Sequence, residues 1–173
     1  MPRIFALVGS VFGAVFVIAN APSLPAPWSA LGLVAGAVLL VVAVLRNVAG
    51  SPALIEQGTG SARVYWIAVA AEVVAIPTGS LVLNKVIDEP DLVVLWVVFV
   101  VGAHFLPAYV FGIGRYGELG LVLIVIAVLF GAIYLAADAD WAPRGGAVLA
   151  GCALLASAAA GNLGVQGRNA REG

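Results

Sequence analysis

The sequence predicts an all-α fold, a polytopic transmembrane helix bundle of six spans with both termini cytoplasmic. Three observations predict it. Hydrophobic residues make up 63% of the 173 and charged residues only 10%, against about 45–50% and about 25% in soluble domains. The apolar residues form long continuous runs with no period-2 alternation, which indicates membrane helices rather than barrel strands. Basic residues gather in alternate connections. These figures exclude an ordinary soluble fold and a disordered chain. A net charge of −1 excludes a nucleic-acid binder. Cys152 and His104 are the only residues of their kinds, which excludes an internal disulfide, a cysteine-based zinc cluster and most metalloenzyme designs.

Each run is long enough for roughly 30 Å of hydrocarbon, which takes about 17–25 helical residues. Lipid is as apolar as leucine, so small residues mark the faces where helices pack. The first span, Ile4–Asn20, carries Gly9 and Gly13 four apart; the second, Trp28–Leu45, carries Gly32 and Gly36. In the third, Val64–Leu83, the residues Ala68, Ala75 and Gly79 share a face with Glu72. The fourth covers Leu92–Phe111. The fifth, Leu119–Ala136, is rich in Leu, Val and Ile and is expected to face lipid. The sixth, Gly145–Gly161, is lined by Gly146, Ala150, Ser157 and Gly161. Turns at Gly50–Pro52 and Gly58–Ser61 flank a short interfacial segment, Ala53–Gln57. The expected organisation is one domain over 1–164 and a polar, disordered tail over 165–173. Arg3 followed by an apolar run and Ala19-Asn20-Ala21 also resembles a signal peptide. Cleavage there would leave five spans in the same orientation.

The side that holds both termini and the connections after the second and fourth spans carries Arg3, Arg46, Arg63, Arg115, Arg168 and Arg171. The other side carries only Lys85 and Arg144. By the positive-inside rule this places both termini in the cytoplasm of a cell membrane. The acids Asp88, Glu89, Asp91, Asp138 and Asp140 lie outside and are read as a solvated loop face. Trp28, Trp96, Trp141 and Tyr134 fall near the outer boundary; Tyr65, Trp66, Tyr109 and Tyr116 fall near the inner one. That is the expected aromatic belt.

Glu72 is the only acid deep in a span and His104 the only deep base. Their spans are joined by the short connection Asn84–Asp91, so they are antiparallel neighbours. Glu72 lies twelve residues before Asn84 and His104 twelve after Leu92. At about 1.5 Å per residue, both sit about 18 Å below the outer boundary. Two deep ionisable groups at one level reduce each other's insertion penalty, roughly 2.5–3.5 kcal/mol for a charge at a helix centre. Pro77 leaves the carbonyl of Val73 without its helical donor, and Pro107 does the same to Ala103. Thr78 and Ser80 are placed to donate near the first of these expected helix breaks. Interrupted helices bearing an ionisable residue point to a transporter-type site. A buried Glu–His contact that merely locks two kinked helices is the competing reading.

Glu72 in a helix that starts at Trp66, then Trp96, then Gly102-Ala103-His104-Phe105-Leu106-Pro107, resembles a pattern in uncharacterised small multi-pass membrane proteins of bacteria. The likeness covers the third and fourth spans. It implies that the Glu–His pair belongs to a shared design and implies no substrate. The Ala-, Gly- and Val-heavy composition also suits a GC-rich bacterial genome.

Other motifs carry less. Gly112-Ile113-Gly114-Arg115-Tyr116-Gly117 matches G-x-G-x-x-G but follows a membrane helix and lacks a βαβ unit, so it reads as a tight inner turn. Ser10, Ser80 and Ser157 lack a second base, and no second deep carboxylate exists for two-acid catalysis. Cys152 reads as a packing residue. No metal or cofactor is expected. Three functions follow: a small transporter or channel-like module with Glu72 and His104 as gate or proton site; a non-catalytic scaffold or subunit; and an intramembrane lipid-modifying enzyme with His104 as base. The expected partners are the bilayer, a small solute or proton, and a membrane protein or a second copy of the chain.

Overall fold

A computed structural model describes residues 2–49, 59–110 and 114–160, with side chains over 9–46, 48, 66–107 and 117–160. Six α-helices account for most of it: α1 (Pro2–Asn20), α2 (Trp28–Ala49), α3 (Thr59–Val82), α4 (Val93–Val110), α5 (Gly114–Ala137) and α6 (Ala142–Ala160). No strand occurs among the described residues. Five stretches are long and apolar enough to cross a membrane: Trp28–Arg46, Trp66–Ile87, Pro90–Pro107, Gly117–Ala137 and Ala142–Ala160. The described apolar part of α1, Gly9–Ser23, is shorter. This is the architecture of a multi-pass membrane protein. The interfacial segment Ala53–Gln57, the tail 165–173, Gly161 and the first two residues of the Gly112–Gly117 turn lie outside the described residues. So do the side chains of Arg3, Arg63, Arg115, Arg168 and Arg171.

The helices fall into two compact units whose boundary lies within α6. The first comprises residues 1–56 and 151–173. Here α1 meets the second half of α6 where two glycines face each other. A Cβ on Gly13 would lie 2.8 Å from the carbonyl oxygen of Gly151, and one on Gly151 would lie 2.7 Å from that of Gly13. One turn further along α1, Val17, 2% exposed, sits between Gly151 of α6 and Gly36 of α2. Backbones approach this closely only where side chains are absent, which is how helices gain dispersion contact in lipid. Ala43 of α2 packs against Ala158 and Ala159, and the Arg46 guanidinium donates to the Ala159 carbonyl at 3.2 Å. That carbonyl belongs to the last turn of α6, where helix oxygens lack backbone donors and a cation is favourable.

The two glycines of the first span therefore differ. A Cβ at Gly9 meets nothing within 4 Å among the described residues. Gly9→Ala should stabilise by a few tenths of a kcal/mol up to about 1 kcal/mol through helix propensity. Gly13→Ala should destabilise by about 1–3 kcal/mol through overpacking. Thermal melts in one detergent check the opposite signs.

The second unit comprises residues 57–150. Its centre is the contact of α4 with α5, where Leu95, Val98 and Val101 of α4 and Leu119, Leu123, Ile126 and Ala127 of α5 are buried. Gly102 and Gly120 sit at the crossing: a Cβ on either would lie within 3 Å of the other's carbonyl oxygen. This corrects the expectation that the fifth span faces lipid. Only one side of α5 is left exposed, with Leu121, Val125, Val128 and Leu129 each more than half exposed. A Leu- and Val-rich surface suits lipid and a neighbouring helix equally, so composition does not separate the two faces. The first half of α6 covers this pair, with Gly146 against Leu95 and Phe130.

At one end of the unit, the turn Pro90–Leu92 that leads into α4 is held twice. The Tyr134 hydroxyl of α5 donates to Glu89 at 2.9 Å, and the Arg144 guanidinium of α6 pairs with Asp91 at 3.1 Å. Two of the five acids expected on a solvated loop face, Glu89 and Asp91, are thus engaged in clamps.

Candidate functional site

Helix α3 lies against α4 along a single stripe. Ala68, Val69, Glu72, Ala75, Ile76, Gly79, Ser80 and Leu83 are half-buried, while Val73, Val74, Pro77, Thr78, Leu81 and Val82 are exposed. The spacing of three and four is that of one helical face. Midway along the seam the Nδ1 atom of His104 lies 3.0 Å from Oε2 of Glu72. The two side chains keep 15% and 20% of their surface exposed. Each side chain thus keeps a partly exposed edge, while the contacting Nδ1 atom is buried. Phe105 stands edge-on to the imidazole, with ring centroids 5.5 Å apart.

The carboxyl and imidazole groups are both proton carriers by type, and they stand within ion-pair distance of each other. Such a pair can hold and pass a proton. With two ligand-type side chains it falls short of the three or four protein groups a zinc site uses. No group of three or more His, Cys, Asp or Glu forms among the described residues.

The other expected site residues are placed differently. Neither proline ends its helix: α3 runs through Pro77 and α4 runs through Pro107. Each proline removes only one backbone donor, and the rest of the ladder holds the helix together. The departure from α-geometry comes later, in a π-helical turn over Leu83–Ile87. It is closed by Asp88 in the left-handed region (φ 61°) and by the Glu89 amide donating to the Leu83 carbonyl at 2.9 Å. Pro77 and Thr78 face away from the seam. Ser80 lies on it but donates to Ile76 of its own helix at 2.7 Å. Pro107 is half-buried, three residues beyond His104.

Trp96 is the residue whose part the sequence reading missed. Expected in the aromatic belt, it also directs its indole N–H across the seam to the Ala75 carbonyl of α3, at 3.0 Å. Gly79 makes the room, since a Cβ there would overlap the indole ring. The signal was present: Gly79 lies shortly before Asn84 and Trp96 shortly after Leu92, so loop counting sets them at nearly one height.

No family model, curated protein or solved structure matches the chain. The function must therefore be argued from the seam itself.

Proposed function

We propose that this chain is a small membrane transport module in which Glu72 and His104 form a proton-carrying site between α3 and α4. The observation that carries this reading is the 3.0 Å acid–imidazole contact between two partly exposed side chains, within two helices apolar enough to span a membrane. Ionisable side chains are costly at that depth and mark ion or proton routes when present. The arginine distribution orients the module with both termini in the cytoplasm, and the substrate is a proton, alone or coupled to a small solute.

The test is flux. In proteoliposomes enclosing a pH dye, the unaltered chain should pass protons under an imposed gradient. Glu72→Gln should lower the rate at least about tenfold, with insertion and thermal stability retained. A reporter on the tail reads which face it occupies in the same vesicles. Flux that is absent, or indifferent to Glu72→Gln, defeats the proposal.

A second reading has its own support. The Trp96–Ala75 hydrogen bond and the Gly102–Gly120 crossing pin α3, α4 and α5 together, which suits a scaffold or subunit of a larger membrane complex. On that reading Glu72→Gln lowers the melting temperature and leaves any flux unchanged, and a partner co-purifies in mild detergent.

A further inference from the structure

We infer that Trp96 is the positioning residue of the Glu72–His104 pair, its indole N–H, seated in the gap left by Gly79, fixing the register of α3 on α4 that brings the two side chains into contact. The inference deepens the proposed function and rests on it for its consequence in flux.

The need for such a device follows from how α3 is held. None of its apolar stretch is fully buried. Apart from Glu72 and Ser80, whose hydroxyl donates within its own helix, its stripe toward α4 consists of Ala, Val, Ile, Leu and Gly. In lipid an apolar face gains little from one register over the next, because hydrocarbon replaces a neighbour at small cost. A slip of one helical turn moves Glu72 by about 5.4 Å, out of reach of His104. A directional N–H to carbonyl contact does discriminate between registers, since its energy falls away with distance and angle.

The parts are in place for that task. Ala75 follows Glu72 by three residues, so the gripped carbonyl lies about 4.5 Å along the axis from the carboxylate-bearing residue. A carbonyl has two lone pairs, so it can accept from the indole and from its own helix together. The indole is stacked on Phe99, with centroids 5.8 Å apart and planes 16° apart, which restricts its rotamer. Helix α4 is itself fixed on α5 at Gly102 and Gly120. Trp96 therefore projects from the anchored helix into the one that needs anchoring.

The test uses the full chain in bilayers with 15N-labelled histidine. His104 is the only histidine, so one imidazole gives the whole signal. Glu72→Gln defines the Nδ1 resonance without the carboxylate. Trp96→Phe should move Nδ1 to that same position, as should Gly79→Ala, which crowds the indole out. Trp28→Phe, on an exposed site elsewhere, should leave it unmoved. The double variant Gly79→Ala/Trp96→Phe restores room but not the donor, so its resonance should stay with that of Glu72→Gln. A resonance at the wild-type position in Trp96→Phe or in the double variant overturns the inference. Should Trp96→Phe fail to insert, deuterium exchange at the wild-type indoles decides. One N–H should be strongly protected, and none protected overturns the inference. In the flux assay Trp96→Phe should match Glu72→Gln. Flux indifferent to both, with the resonance moved, removes the transport reading and leaves the positioning role.

Discussion

Gly120→Ala is expected to be among the most damaging single-atom additions in the chain. The new Cβ would lie 2.6 Å from the Gly102 carbonyl oxygen and 2.9 Å from the Phe105 Cβ, with the Leu106 amide nitrogen at 3.3 Å. Two of these three are backbone atoms of α4 and cannot rotate aside. Relief requires the helices to separate along their whole contact, loosening Leu95, Val98, Leu123 and Ile126 together. Overpacking of this kind costs about 1–3 kcal/mol, and rigid neighbours place it at the upper end. Helix propensity returns up to about 1 kcal/mol and does not offset it. Gly131→Ala on the same helix is the control. There a Cβ meets only the tip of Leu95, at 3.8 Å, so propensity acts alone and stability should rise slightly. Melting curves of the two variants in one detergent should move in opposite directions. Equal shifts would mean that the crossing is not where the unit is held.

The second large effect concerns the pair. His104→Leu leaves Glu72 without its partner in an apolar seam. Removing one member of a fully buried ion pair costs about 3–5 kcal/mol. With 15% and 20% of the two side chains exposed, about 2–3 kcal/mol is expected after allowance for solvation. Glu72→Leu together with His104→Leu should recover most of that loss, because removing both partners leaves no orphaned group. The double variant should then be about as stable as the wild type and transport nothing. A double variant as unstable as His104→Leu alone would show that the pair contributes stability in its own right, as a scaffold requires.

Much of this was legible in the sequence, and the reasons differ by residue. The helices were legible because continuous apolar runs have a single solution in a bilayer. Glu72 and His104 could be set at one level because a short connection fixes the relative height of neighbouring helices. The partner of α5 was not legible, because hydropathy does not separate a lipid-facing leucine such as Leu121 from a helix-facing one such as Leu123. The informative residue there was Gly120, matched by Gly102 on the neighbouring helix. Pro77 and Pro107 misled for a related reason. A proline deletes one donor, but whether the helix then breaks depends on neighbours that a one-dimensional reading does not place. Trp96 was read by residue type alone, which does not name its partner; the gap at Gly79 across the seam does.

The order of synthesis gives the seam one more consequence. A ribosome delivers Glu72, on the first arm of the hairpin, before it delivers His104 on the second. The nascent third segment must therefore enter the bilayer with its acid unmatched, carried only by the valines and alanines around it. The counter-group arrives afterwards on the returning helix of the hairpin, so the acid meets its partner only when α4 comes to lie along α3.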